Sequence, residues 1–248
     1  MLRIAKCYCP AFYKKFVKLN KILTKNTWET YCVLKVSNVS LRFKLTGKLI
    51  IMKEKIIQKS AELHFKYGIR NVTMDQIAQE LGISKKTIYQ YFENKTDLVK
   101  QTVDSIFDQI QTQIDQVCLM KLNPYEELLH IKNIVKDMLS KSDLSPHHQL
   151  KKYYPEIAKQ LEERKFKSVM ECLEHNLNKG IKSGYYKKDL DKEFIKRMYF
   201  SNTLNLMNPD LFPPEQFNRQ KTLDMFLNMF LQGISTKKGR KKLKEMNL

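Results

Sequence analysis

The chain contains no apolar run approaching ~18 residues, the length that a membrane-spanning helix requires, so no membrane partner is expected. Its start lacks a continuous apolar segment ending in a small-residue cleavage site, which argues against a secretory leader. Glycine and proline are scarce, at seven each in 248 residues, too few for a loop-rich or all-β chain. Cysteine is scarce as well. Cys7, Cys9, Cys32, Cys118 and Cys172 are odd in number and none belongs to a CxxC pair, which argues against a disulfide framework or a zinc site. Reduced thiols in the cytoplasm are the default for such a set. The histidines, His64, His130, His147, His148 and His175, form no HExxH, and His147–His148 reads as a surface pair. No GxSxG, P-loop or GxGxxG pattern occurs. Accordingly, no catalytic residue, metal or cofactor is assigned, and the chain is not read as an enzyme.

What is present is a helical composition with a real core. Hydrophobic residues make up 42% of the chain, and Lys, Leu, Ile, Gln and Glu dominate. The length allows a small module and a larger helical core. The net charge of +19 points to polyanionic partners, yet it is unevenly spread. Residues 1–51 hold 11 Lys and Arg against one Glu. This segment is rich in lysine, aromatic and β-branched residues, and Cys32 to Phe43 alternates partially, as a strand would. At Met52 the pattern changes to a good helix, MKEKIIQKSAELHFKYG. Three readings of 1–51 stand: translated sequence upstream of a natural start at Met52, a basic arm adding phosphate contacts, or a small ordered appendage.

The most informative stretch is TMDQIAQELGISKKTIYQYFENK, Thr73 to Lys95. A helix over about Lys53–Tyr67 precedes it, stopped by Gly68. Thr73 is placed to cap a helix from Met74 to about Glu80, with Gln76 as its capping-box partner. Gly82 sits where a tight turn wants positive φ. Ser84 caps a second helix, Lys85 to about Tyr91, whose buried face is supplied by Ile83, Ile88 and Phe92. Ala78, Gly82 and Ile88 supply the small residue, turn glycine and core aliphatic that two crossed helices need. Projection at 100° per residue sets Lys86 and Gln90 opposite Ile88, with Thr87 and Tyr89 on the flanks. With Lys85, these face the major groove of double-stranded DNA, where Gln pairs with adenine and Lys reaches guanine acceptors. Tyr91 and Lys95 lie nearer the phosphates.

Residues 53–98 resemble the N-terminal DNA-binding domain of the TetR family of transcriptional regulators. The Thr cap, IA pair, Gly turn, Ser-Lys-x-Thr entry, Tyr-x-Tyr-Phe and closing Lys of TMDQIAQELGISKKTIYQYFENKTDLV carry the likeness. Lys86 departs from it, standing where the family often has Gly. The resemblance implies phosphate contacts from Thr73, Thr87, Tyr91 and Lys95, and base contacts from Lys85 to Tyr91.

Beyond Phe92 the periodicity predicts an all-α bundle. A helix runs from Lys95 to about Cys118, another starts at Pro124, and a long one spans about Pro155 to Lys179. Gly184 to Lys188 reads as a loop. Asp191 opens a helix through Leu206, and the last runs from about Pro214 to Gln232. The fold expected is a three-helix helix-turn-helix head at 52–96, a helical ligand-binding and dimerisation domain at 97–235, and a basic tail at 236–248. Eight of the eleven methionines lie beyond residue 119, and methionine suits irregular gaps. Phe107, Ile110, Ile131, Met138, Met170 and Leu173 are candidate pocket residues. The resemblance implies dimerisation through the last two helices, which makes Leu223, Phe226, Leu227 and Phe230 candidate interface residues. The function expected is a homodimeric, cytoplasmic repressor released from a palindromic operator by a small apolar ligand. The alternatives are a nonspecific, architectural DNA-binding protein and a regulator controlled by a protein partner.

Overall fold

The structure, a computed structural model, describes residues 39–139, 146–206 and 208–246. The chain divides into two units, Met1–Ile51 and Met52–Leu248. Ten helices form among the described residues. They are α1 (Val39–Tyr67), α2 (Met74–Leu81), α3 (Lys85–Tyr89), α4 (Lys95–Leu119), α5 (Pro124–Leu139), α6 (Pro146–Tyr153), α7 (Pro155–Lys182), α8 (Lys192–Asn205), α9 (Arg219–Ile234) and α10 (Lys237–Glu245). The β structure there is one antiparallel bridge, Tyr186 to Ser235, so the class is all-α.

Two expectations need correction. Val39 to Phe43 lie in α1 rather than in a strand, because a nucleated helix extends at one hydrogen bond per added residue and partial alternation does not oppose it. The last long helix begins at Arg219, not Pro214: the Asn218 side chain accepts from the backbone of Gln220 and Lys221. The basic segment after Ser235, expected as a basic tail at 236–248, is helical. Thr236 caps α10, and Leu243 is fully buried. The His147 side chain, Trp28 and Cys7, Cys9 and Cys32 lie outside the described residues, while Cys118 and Cys172 are free thiols.

Two cores organise residues 52–246. In the head, Ile56, Leu63, Met74, Ile77, Ile88 and Phe92 close on one another, and Leu98 of α4 joins them. Full burial of such side chains stabilises by roughly 1.5–3 kcal/mol each before entropy is counted. In the bundle, Leu128, Leu173, Leu177, Leu231 and Leu243 gather around Tyr125 and Tyr186. A smaller cluster, Ile69, Val99, Leu150, Ile157 and Ala158, lies where α4, α6 and α7 meet the end of α1. There, Ile69 N–H donates to Gln149 Oε1 at 2.9 Å, and the Arg70 guanidinium lies 5.1 Å from the Tyr153 ring centre.

The far end of the bundle is fixed by a buried polar network. Glu127 is fully buried and accepts from Asn176 Nδ2 at 2.9 Å and Lys179 Nζ at 2.7 Å. Asn176 Oδ1 accepts from the Tyr186 hydroxyl at 3.0 Å, and the Tyr125 hydroxyl lies 2.8 Å from Ser235 Oγ. A buried carboxylate is tolerable only when satisfied in this way. Tyr186 thus anchors the core from a segment that reads as a plain loop. It does so through Gly180, where an added Cβ would stand 2.0 Å from the Tyr186 ring. Gly180→Ala is expected to destabilise the protein by about 1–3 kcal/mol through overpacking. Urea unfolding measures this, and an unchanged midpoint would remove the close approach from the account.

His64 is buried in α1 with Nδ1 3.4 Å from Ser60 Oγ. Burial, aided by the Lys95 charge, lowers its pKa from 6.5 to about 4. A histidine depressed in the folded state binds its proton more readily when unfolded. Its stabilising contribution is therefore full above pH 6.5 and is lost as pH falls toward 4. The loss is expected to reach about 3 kcal/mol. Unfolding free energies of the parent protein and His64→Phe, measured from pH 7.5 to 4.5, should diverge in slope below 6.5. Parallel slopes would show that His64 is not held neutral.

Candidate functional site

The head presents its second short helix through two caps and one turn. Thr73 Oγ1 accepts from Gln76 N–H at 3.1 Å and starts α2. Gly82 ends it with φ 63° and ψ 32°, and its N–H reaches the carbonyls of Ala78 and Gln79. Positive φ costs an L side chain roughly 1–2 kcal/mol, which is why glycine stands at this position. Ser84 Oγ then accepts from Thr87 N–H at 3.1 Å and lies 2.9 Å from Thr87 Oγ1. Ile88, fully buried, pins α3 to the head core. The helix is shorter than its sequence pattern, ending at Tyr89 with Gln90 as its C-cap.

Opposite Ile88 the surface is open. Lys86, Tyr89 and Gln90 are exposed, and Thr87 and Tyr91 are half-buried. Two cations are already engaged. Lys85 Nζ lies 2.7 Å from Asp75 Oδ2, and this hydrogen bond raises the Lys85 pKa. Lys95 Nζ donates to the Arg70 carbonyl at 2.9 Å, and burial lowers its pKa. An ammonium has three donors, so this bond leaves Lys95 capacity for a phosphate while fixing where it stands.

Beneath the head lies an apolar cavity of about 330 Å³. Four of the six residues named as pocket candidates line it: Phe107, Ile110, Ile131 and Met138. The other two do not. Leu173 packs in the bundle core around Tyr125, and Met170, one turn from it on α7, is not part of the wall. The helical stripe from which they were chosen is wide enough to serve two cores. Residues that the sequence reading missed include His64, Phe65 and Ile69. They come from the end of α1 and the turn that follows it, and bring the head into the cavity wall. The wall also takes Val103, Ile106 and Ile114 from α4, so one continuous helix spans head core and cavity.

The proposed interface residues are corrected. Leu223, Phe226 and Leu227 are buried in their own chain and line the cavity. Phe230 packs on the Tyr199 ring at 4.9 Å. The clean apolar spacing on α9 marked the inward face. Its outward face carries Met225 and Met229, 72% and 68% exposed, and α8 shows Phe194 and Met198, 59% and 45% exposed. Among the described residues, no helix is long and apolar enough to cross a membrane.

Comparison with known proteins agrees with this geometry. Residues 56–102 match the family model described as bacterial regulatory proteins, tetR family. The HTH-type transcriptional repressor KstR2 of Mycobacterium tuberculosis is 23% identical over 204 residues, covering 79% of this chain and 98% of the relative. The fatty acid metabolism regulator protein of Bacillus subtilis is 21% identical over 185 residues, covering 73% and 95% of the two chains. Among solved structures, FadR from B. subtilis in complex with stearoyl-CoA aligns with a TM-score of 0.59 at 21% identity, covering 73% and 98% of the chains. The SmeT–triclosan complex aligns with a TM-score of 0.57 at 13% identity, covering 75% and 92%. These structural likenesses establish the fold. With a capped, groove-sized helix on a three-helix head and a helical bundle behind it, residues 56–102 are similar to the DNA-binding head of the bacterial regulatory proteins of the tetR family.

Proposed function

We propose that the protein is a homodimeric repressor that reads a palindromic operator and is released by a small ligand bound in the bundle. The observation that carries this is the shared helix α4. Leu98 closes the head core, while Val103, Ile106, Phe107, Ile110 and Ile114 line the cavity below it. A ligand that prefers one setting of α4 therefore favours one setting of the head. The change in DNA affinity is limited by the ligand's preference between the two states, typically 1–3 kcal/mol. The repressor names of the relatives support the sign, and the ligands named in the FadR and SmeT structures support a small-molecule trigger.

In this reading 52–96 forms the DNA-reading head, and 97–235 binds ligand and dimerises. Lys86, Tyr89 and Gln90 face base edges, with Lys85 and Thr87 beside them. Thr73, Ser84, Tyr91 and Lys95 position the phosphates. Footprinting of duplexes from the region beside the protein's own gene, at physiological salt, tests it. A protected palindrome is expected. Uniform binding abolished by bulk DNA would instead identify a nonspecific, charge-driven binder.

Gln90→Ala is expected to relax base preference at one operator position by about 1–3 kcal/mol while leaving affinity for random DNA unchanged. Selection from a randomised duplex library reads this directly, and an unaltered preference profile would overturn the face assignment. We assign the dimer contact to the outward faces of α8 and α9, through Phe194, Met198, Met225 and Met229. A two-fold interface presents the same patch twice, so each charge is introduced on both sides. Met225→Glu combined with Met229→Glu should shift the protein from dimer to monomer in sedimentation velocity. A dimer that survives both changes places the interface elsewhere.

A further inference from the structure

Among the described residues, the cavity wall contains one cation that bonds to no anion. Lys165, in the middle of α7, is part of the wall. It makes no hydrogen bond or ion pair among the described residues. The other basic groups lining the cavity differ. Lys132 Nζ lies 2.5 Å from Asp224 Oδ1, Arg219 is already engaged, and His64 is kept neutral by burial. The neutral polar groups are also satisfied. Thr102 Oγ1 donates to Leu98 O, Thr203 Oγ1 to Phe200 O, and Ser168 Oγ to Gln111 Oε1.

Burial pulls the Lys165 ammonium below the ordinary lysine range, and the negative charge of Glu162 offsets this only in part. Glu162 lies three residues earlier on the same helix and acts on Lys165 through its charge. The Tyr199 hydroxyl on α8 also bonds to no described residue, and burial keeps it protonated. The wall therefore offers hydrogen-bond donors without acceptors, set in a surface made otherwise of Phe107, Ile110, Ile114, Val135 and Leu223. A stripped ammonium is costly to retain in an apolar wall, and an incoming anion removes that cost.

We propose that the cavity takes an amphiphile with an aliphatic body and a single anionic head, and that Lys165 is the residue that binds the head. The aliphatic body fills the apolar wall, and Tyr199 supplies a second donor. At about 330 Å³, the space is within the range of drug-sized ligand sites. This inference deepens the ligand-released reading and rests on it for its biological meaning, but the site is testable without DNA.

The test uses the full-length protein and isothermal titration calorimetry in physiological salt, with three probes below their micelle concentrations: dodecanoate, dodecyl phosphate and dodecanol. At least one acid is expected to bind tenfold or more tightly than the alcohol, and the stronger acid identifies the head group as carboxylate or phosphate. Lys165→Met, which keeps the stem and removes the charge, should abolish that preference while still binding dodecanol. Lys165→Arg should retain it. Equal binding of acids and alcohol by the parent protein overturns the inference without reference to any variant. A preference that survives in folded Lys165→Met also overturns it, because surface lysines would then be responsible. Operator affinity is measured on the same samples. Charge-selective binding that leaves DNA affinity unchanged upholds the anion site and refutes the release mechanism.

Discussion

The structure depends on one long helix belonging to two cores at once. Leu98 on α4 completes the head, Val99 completes the junction with α6 and α7, and the next three turns form the wall of the cavity. Packed interiors do not deform smoothly, so α4 cannot move at one end without a response at the other. The head has a second mechanical tie. The end of α1 contributes His64 and Phe65 to the cavity, the turn after it contributes Ile69, and Gln149 and Tyr153 of α6 hold that turn. A domain connected by a flexible linker would bind DNA equally well but would be deaf to a ligand.

The two ends of the bundle are built differently, and the difference follows their tasks. Far from the head, buried polar groups are fully paired, with Glu127, Asn176, Lys179 and Tyr186 in one network. Such a network specifies a single arrangement, because each member left alone would be costly. Near the head the interior is apolar and open, and Lys165 stands in its wall with no hydrogen bond or ion pair among the described residues. A fully paired base and an incompletely filled chamber beside α4 are the arrangement that the proposed ligand-released reading requires.

Much of the head was legible because its signals are local. A capping hydroxyl, a glycine with positive φ and a second cap lie within a dozen residues and act through bonds to neighbours in the chain, so Thr73, Gly82 and Ser84 could be placed before any fold was known. Only the length of α3 was overstated, since hydrophobic spacing continues past the point where the backbone turns at Gln90. The bundle was legible as helices but not as surfaces. The spacing of Leu223, Phe226, Leu227 and Phe230 identified a buried stripe correctly in kind. Whether such a stripe meets its own chain or a partner is decided by what lies opposite, which the helix does not encode.

The all-α class, the helix-turn-helix and the exposed face of its second helix rest on interactions within a few residues, so they are written in the order of the residues alone. Only the packing of distant elements made Tyr186 an anchor within its loop, buried Leu243 of α10, and set Leu173 and Phe107 in different interiors. It also decided that Lys165, one of many lysines in a basic chain, is the one facing an apolar space without a counter-ion among the described residues. These outcomes depend on which helix faces cross at a distance, and crossing geometry is set by the sum of all the packing rather than by any single segment.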